Sequence, residues 1–153
     1  MRRYKIAVIF PLTACLLALT ACGGPTVQGT YKAGQDYQSS FVFDDGKFTL
    51  TVPALANTPQ SMAETLTLGG QYELKDDQLI LTFDDAMTRR QVFPLVTALL
   101  SEQGVDQPTP DQLDGAVQLY LDGAPYLGTQ KLAYDAKTNN FTFNGAQYTF
   151  AKK

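Results

Sequence analysis

From Gly29 onward the chain alternates large apolar with polar residues over short runs, and the runs end at residues that tolerate left-handed backbone. That pattern constrains the fold most, because a period of two places one face of an extended strand in a core and the other in solvent. In "SSFVFDDGKFTLTVPA", Phe41 and Phe43 precede Asp44-Asp45-Gly46, and Phe48, Leu50 and Val52 follow it, interleaved with Thr49 and Thr51. Two such runs joined through Asp-Gly predict a tight hairpin. "GGQYELKDDQLILTFDD" repeats the scheme, with Tyr72 and Leu74, a turn at Asp76-Asp77, then Leu79, Leu81 and Phe83. Near the C-terminus, Leu132 and Tyr134, Phe141 and Phe143, and Tyr148 and Phe150 form three more alternating pairs. Turns at residues 137–140 and at Asn144-Gly145 separate them.

Between the second and third sets the period changes. Thr109-Pro110-Asp111-Gln112 offers an N-cap hydroxyl, a proline in the first helical turn and a Gln three residues after the cap, so a helix is expected to start there. Leu113, Ala116, Val117 and Tyr120 line one face of it before Gly123 ends it. Upstream, Thr88 and Gln91 mimic a capping box, but Pro94 stands too far inside for a clean helix from Thr88. The expectation is an extended piece through Phe93 and a helix over residues 94–103 that buries Val96, Leu99 and Leu100.

The expected fold is therefore mainly β: an antiparallel meander or small barrel of about eight strands with a helical hairpin inserted near residues 94–122. Closure into a barrel removes exposed strand edges. The G-x-Y, F-x-F-x-x-G-x-F and G-x-Y-x-L rhythm is similar to small lipocalin-like domains of bacterial lipoproteins, although a helical insertion departs from a simple up-and-down barrel. No binding residue carries over from that resemblance.

The N-terminus has the layout of an export leader: Arg2, Arg3 and Lys5, an apolar run over residues 6–19, then small residues. The run is 14 residues long, short of the ~20 that a membrane-spanning helix needs. Leu12-Thr13-Ala14-Cys15 and Leu19-Thr20-Ala21-Cys22 each read as a lipoprotein cleavage box, and they hold the only two cysteines. The segment resembles a bacterial lipoprotein signal. In that family the cysteine sulfur receives a diacylglyceryl group, the peptide before it is removed, and the new amino group is often acylated with a palmitate-type chain.

Position separates the two boxes. Cleavage before Cys15 would use a short apolar stretch interrupted by Pro11 and strand Leu16-Leu17-Ala18-Leu19 on the mature protein, whereas cleavage between Ala21 and Cys22 uses the whole run. A plain secretory leader would instead leave Cys22 a free thiol in an oxidising compartment. The expected organisation is a signal peptide over 1–21, a lipidated tether over 22–28 and one β-rich domain over 29–153. Gly23, rather than the Asp that resembles an inner-membrane retention signal, follows Cys22. The expected location is extracytoplasmic: the outer membrane of a two-membrane cell or the outer face of the plasma membrane of a single-membrane cell.

Composition narrows the chemistry. Three of the twelve basic residues and none of the fifteen acidic ones lie in the leader, so the mature chain carries nine against fifteen, or −6. Such a chain is repelled by anionic lipid and by nucleic acid, which leaves acyl chains to hold it at a membrane. Histidine is absent, which removes a Ser-His-Asp or Cys-His site and the usual zinc ligand sets. No cofactor and no metal are expected.

The Asp pairs 44–45, 76–77 and 84–85 fall at turns and strand ends, where a carboxylate accepts from nearby backbone N–H groups, and no calcium loop with a closing Glu surrounds them. Fifteen aromatics remain after the leader, either filling the core or lining a ligand pocket. Tyr120 and Tyr126 flank "LDGAP" beside the insertion and are candidates for a barrel mouth. Arg89 and Arg90 are a basic pair and the only arginines left after processing, candidates for a partner contact or an ordinary solvated end. The leading functional expectation is a lipid-anchored, non-catalytic binding module for a protein, peptide or small apolar ligand. Its alternatives are an accessory envelope protein docking through the helices, and a hydrolase built on Asp84, Asp85 and Asp122.

Overall fold

The computed structural model describes residues 27–34, 38–53 and 65–151. Cys15, Ala21 and Cys22 lie outside the described residues, as does most of the expected tether. Eight strands follow in chain order: β1 (Gly29–Ala33), β2 (Ser40–Asp44), β3 (Lys47–Pro53), β4 (Thr65–Lys75), β5 (Gln78–Phe83), β6 (Thr129–Asp135), β7 (Asn140–Phe143) and β8 (Ala146–Phe150). Each pairs antiparallel with the next, and β8 pairs with β1, so the sheet closes into an up-and-down barrel. Two helices, α1 (Asp85–Glu102) and α2 (Pro110–Asp122), stand between β5 and β6.

Three of the turns are two-residue reversals with positive φ at both positions: Asp45 and Gly46 (44° and 73°), Asp76 and Asp77 (50° and 59°), and Asn144 and Gly145 (48° and 76°). This is the type I′ geometry whose twist matches that of the flanking strands. The pairings Asp44↔Lys47, Lys75↔Gln78 and Phe143↔Ala146 close them. Between β6 and β7, Asp135 holds a longer reversal through its carboxylate, which accepts from the Lys137 and Thr138 amides at 2.8 and 3.3 Å and from the Thr138 hydroxyl at 2.7 Å. The Thr138 hydroxyl and the Lys137 amide hold that carboxyl below its ordinary pKa.

The inward residues fill the barrel. Phe41 packs edge-on to Tyr148 at 4.9 Å between ring centroids and to Phe143 at 5.3 Å, and Phe43 meets Tyr72 at 4.9 Å. These rings, with Leu50, Leu68, Leu79 and Leu81, belong to one buried cluster. The buried hydroxyls find partners within it: Tyr31 and Tyr134 lie 3.0 Å apart, Tyr134 donates to Asn139 Oδ1 at 3.0 Å, and Ser39 and Tyr148 lie 2.9 Å apart. Burial pushes the Tyr31 and Tyr148 pKa values up, as expected for phenols closed off from water. The aromatics thus fill the core rather than line a hollow. Val27, read as tether from sequence, is fully buried in this cluster and its carbonyl accepts from the Tyr72 hydroxyl.

The first helix differs from the expectation. No strand runs through Phe93; α1 starts nine residues before Pro94, with Asp84 as N-cap and its carboxylate accepting from the Met87 amide at 2.9 Å. Pro94 sits inside the helix on an exposed position, where the Arg90 carbonyl that loses its amide donor can reach water. Val96 is buried as expected, but Leu99 and Leu100 are only half-buried. The second helix follows the sequence expectation in full, with Thr109 and Gln112 forming the reciprocal capping box and Gly123 at the C-cap.

The helices pack on the barrel and on each other. Leu95 of α1 joins the barrel cluster, while Val92, Val96, Val117 and Leu121 form a second cluster between the helices. Thr88, fully buried, donates its hydroxyl to the Tyr126 carbonyl at 3.2 Å and so ties α1 to the chain returning from α2. Thr88→Val keeps the shape and strands that carbonyl, so a loss of about 1–2 kcal/mol is expected in chemical denaturation. Thr88→Ser, which keeps the hydroxyl, is expected to recover part of it.

Candidate functional site

The four residues singled out from sequence do not converge on one site. Tyr126 caps the barrel end, its ring 6.3 Å from that of Phe83 and 6.2 Å from that of Phe143. Tyr120 packs against the interhelical cluster. Burial raises the pKa of both phenols, more consistent with packing than with a wet binding mouth. Arg89 and Arg90 lie in the second turn of α1, on the outer surface of the helix pair.

That outer surface has a definite construction. Arg89 Nη2 donates to Gln118 Oε1 at 2.6 Å, and Gln118 Nε2 donates to Asp122 Oδ1 at 2.6 Å, so a polar relay crosses from α1 to α2. Arg89 and Arg90 line a groove of about 270 Å³ with Phe93, Asp114 and Val117. On its other side Phe93 also lines a second, wider groove of about 750 Å³ with Pro94, Thr97, Ala98, Ser101, Glu102 and Asp106. Phe93 is 47% exposed, and Leu119 on α2 is 76% exposed.

An exposed Phe between two grooves was missed from sequence because residues through Phe93 were assigned to an extended piece. On a helix capped at Asp84, the buried positions Thr88, Val92, Leu95 and Val96 define the inner face and leave Phe93 beside it, facing out. The signal was available in that 3- and 4-residue spacing once Pro94 is allowed inside the helix.

The candidate hydrolase carboxylates have local partners. Asp84 caps α1, Asp85 accepts from the Gly128 amide at 2.9 Å, and Asp122 takes the Gln118 amide described above. Among the described residues, no group of three or more His, Cys, Asp or Glu side chains is placed to hold a metal ion.

No protein-family model and no curated protein matches the chain. A solved structure, that of an uncharacterized protein from Bacteroides eggerthii DSM 20697, is similar at 15% identity with a TM-score of 0.42, over 84% of this chain and 100% of that one. Among the described residues, no helix is long and apolar enough to cross a membrane.

Proposed function

We propose that this chain is a lipid-anchored, extracytoplasmic binding module that engages a protein or peptide on the outer surface of its helix pair and carries out no catalysis. The observation that carries the reading is Phe93, a large aromatic left about half in solvent between two grooves and next to Arg90. Exposed aromatics and Arg beside a concavity are the residue types that concentrate binding energy at interfaces. The filled barrel argues against a small apolar ligand held inside it, since the inward rings already occupy one another's contact distance. Anchoring rests on the box Leu19-Thr20-Ala21-Cys22 and the leader before it.

An accessory envelope role would use the same helices. Val117 is buried between them, which leaves Phe93 and its grooves as the surface available to a partner.

A photo-crosslinking residue in place of Phe93 tests the reading in intact cells. A discrete adduct is expected there, weakened by Arg90→Glu, and none from the same residue in place of Thr142, an exposed position on β7. Adducts of equal yield at both positions, or none at 93, would remove the helix pair as the binding surface.

A further inference from the structure

We infer that the barrel stands on the membrane by the pole that carries the turns at residues 44–47, 75–78 and 135–140, and holds the helix pair, with the Asn144-Gly145 turn, away from the lipid. The inference rests on the proposed anchor at Cys22. Strand register defines the two poles. β1 begins where β2 ends, with Gly29 opposite Phe43, and β8 ends beside β1, with Phe150 opposite Tyr31. Backbone bonds link the turns around this pole: the Tyr72 amide donates to the Gly46 carbonyl, the Tyr134 amide to Asp77 and the Phe150 amide to Asn139. The helices leave from the opposite ends of β5 and β6, at Phe83 and Thr129.

Val27 is the described residue nearest the anchor. It is buried at the turn pole, where the Tyr72 hydroxyl holds its carbonyl. Five residue steps separate it from Cys22, a reach of at most about 18 Å. The ten steps of β4 from Lys75 to Thr65, at ~3.3 Å each and tilted ~40°, make the barrel about 25 Å tall. The tether is therefore too short to run the barrel's height and bring the far pole down to the lipid.

Charge acts in the same direction. The three turns over residues 44–47, 75–78 and 135–140 hold five Asp and three Lys, a net −2. The helical segment over residues 84–128 holds seven acids and two Arg, a net −5. An anionic phospholipid surface repels the helix pair more strongly than the turns, which opposes a barrel lying with its helices on the membrane.

Once Cys22 is acylated and the leader removed, the mature chain has no other thiol. The acylated full-length protein, carrying Gln78→Cys beside the Asp76-Asp77 turn or Leu119→Cys on α2, is labelled with a fluorophore. It is then reconstituted into phosphatidylcholine and phosphatidylglycerol vesicles containing headgroup spin-labelled lipid. Quenching is expected to be several-fold stronger at position 78 than at 119. Protein that floats with the vesicles but is quenched equally, or more at 119, overturns the orientation and leaves the anchor standing. Protein that fails to float overturns the anchor, and the orientation falls with it.

Discussion

Gly70→Ala is expected to destabilise the barrel by at least about 4 kcal/mol, a large share of the ~5–15 kcal/mol that holds a domain together. Gly70 occupies an inward position of β4, opposite Phe48 on one side and Phe83 on the other. Those two rings pack edge-on at 5.0 Å, over the space a side chain at residue 70 would need. A Cβ there would meet the Thr82 carbonyl oxygen, and would come within 2.9 Å of both the Phe83 Cα and the Phe48 ring. Two of the three obstacles are backbone, so no rotamer change relieves them. Gly115→Ala on α2 is the control: nothing lies within 4 Å of its Cβ, and replacing an exposed helical Gly is expected to add about 0.5–1 kcal/mol. With no Trp in the chain, unfolding followed by circular dichroism or Tyr fluorescence reads both variants. Gly70→Ala within about 1 kcal/mol of the parent would mean that β4 does not approach Thr82 and Phe83 of β5 as closely as these contacts require.

How far the fold can be read from sequence depends on which residues hold it. The reversals at Asp45-Gly46, Asp76-Asp77 and Asn144-Gly145 are local, since Asp, Asn and Gly accept positive φ by their own chemistry and the flanking alternation sets the register. The capping box at Thr109 and Gln112 is likewise contained in four residues. The start of α1 was not legible for a tertiary reason. Thr88 looked like a cap because it precedes Gln91 at the right spacing, yet its hydroxyl is spent on Tyr126, 38 residues away, and the cap is Asp84.

Pro94 misled in the same way. It forbids a buried helix interior, but on the solvent side the missing hydrogen bond is tolerable, and the side a residue faces is known only after α1 is docked through Leu95. The candidate site inherited that error: Arg89 and Arg90 were legible as an adjacent pair and the only arginines after the leader, whereas Phe93 between two grooves requires the helix to exist first. The alternation at Tyr72 and Leu74 gives no reason for Gly69-Gly70 before it. The reason is the contact of Gly70 with Phe83, which only the β4–β5 pairing creates.

Cys22→Ala is expected to abolish incorporation of labelled fatty acid and to release the protein from the membrane fraction, while Cys15→Ala leaves both at parental level. The first expectation follows from position, because only cleavage between Ala21 and Cys22 discards the whole apolar run over residues 6–19. The magnitude follows from lipid partitioning: one acyl chain binds a membrane marginally and two or more hold firmly, so losing the acylated cysteine removes essentially all attachment from a chain of net charge −6. Val27 gives the assignment a second, structural readout. From Cys15 the chain would run twelve residue steps to Val27, about 43 Å extended, which exceeds the ~25 Å height of the barrel and would let either pole approach the lipid. Retained label in Cys22→Ala together with lost label in Cys15→Ala would therefore move the anchor, and tether length would no longer decide which pole faces the lipid. Fatty-acid labelling thus tests where the domain is anchored, and vesicle quenching tests which way a domain anchored at Cys22 faces.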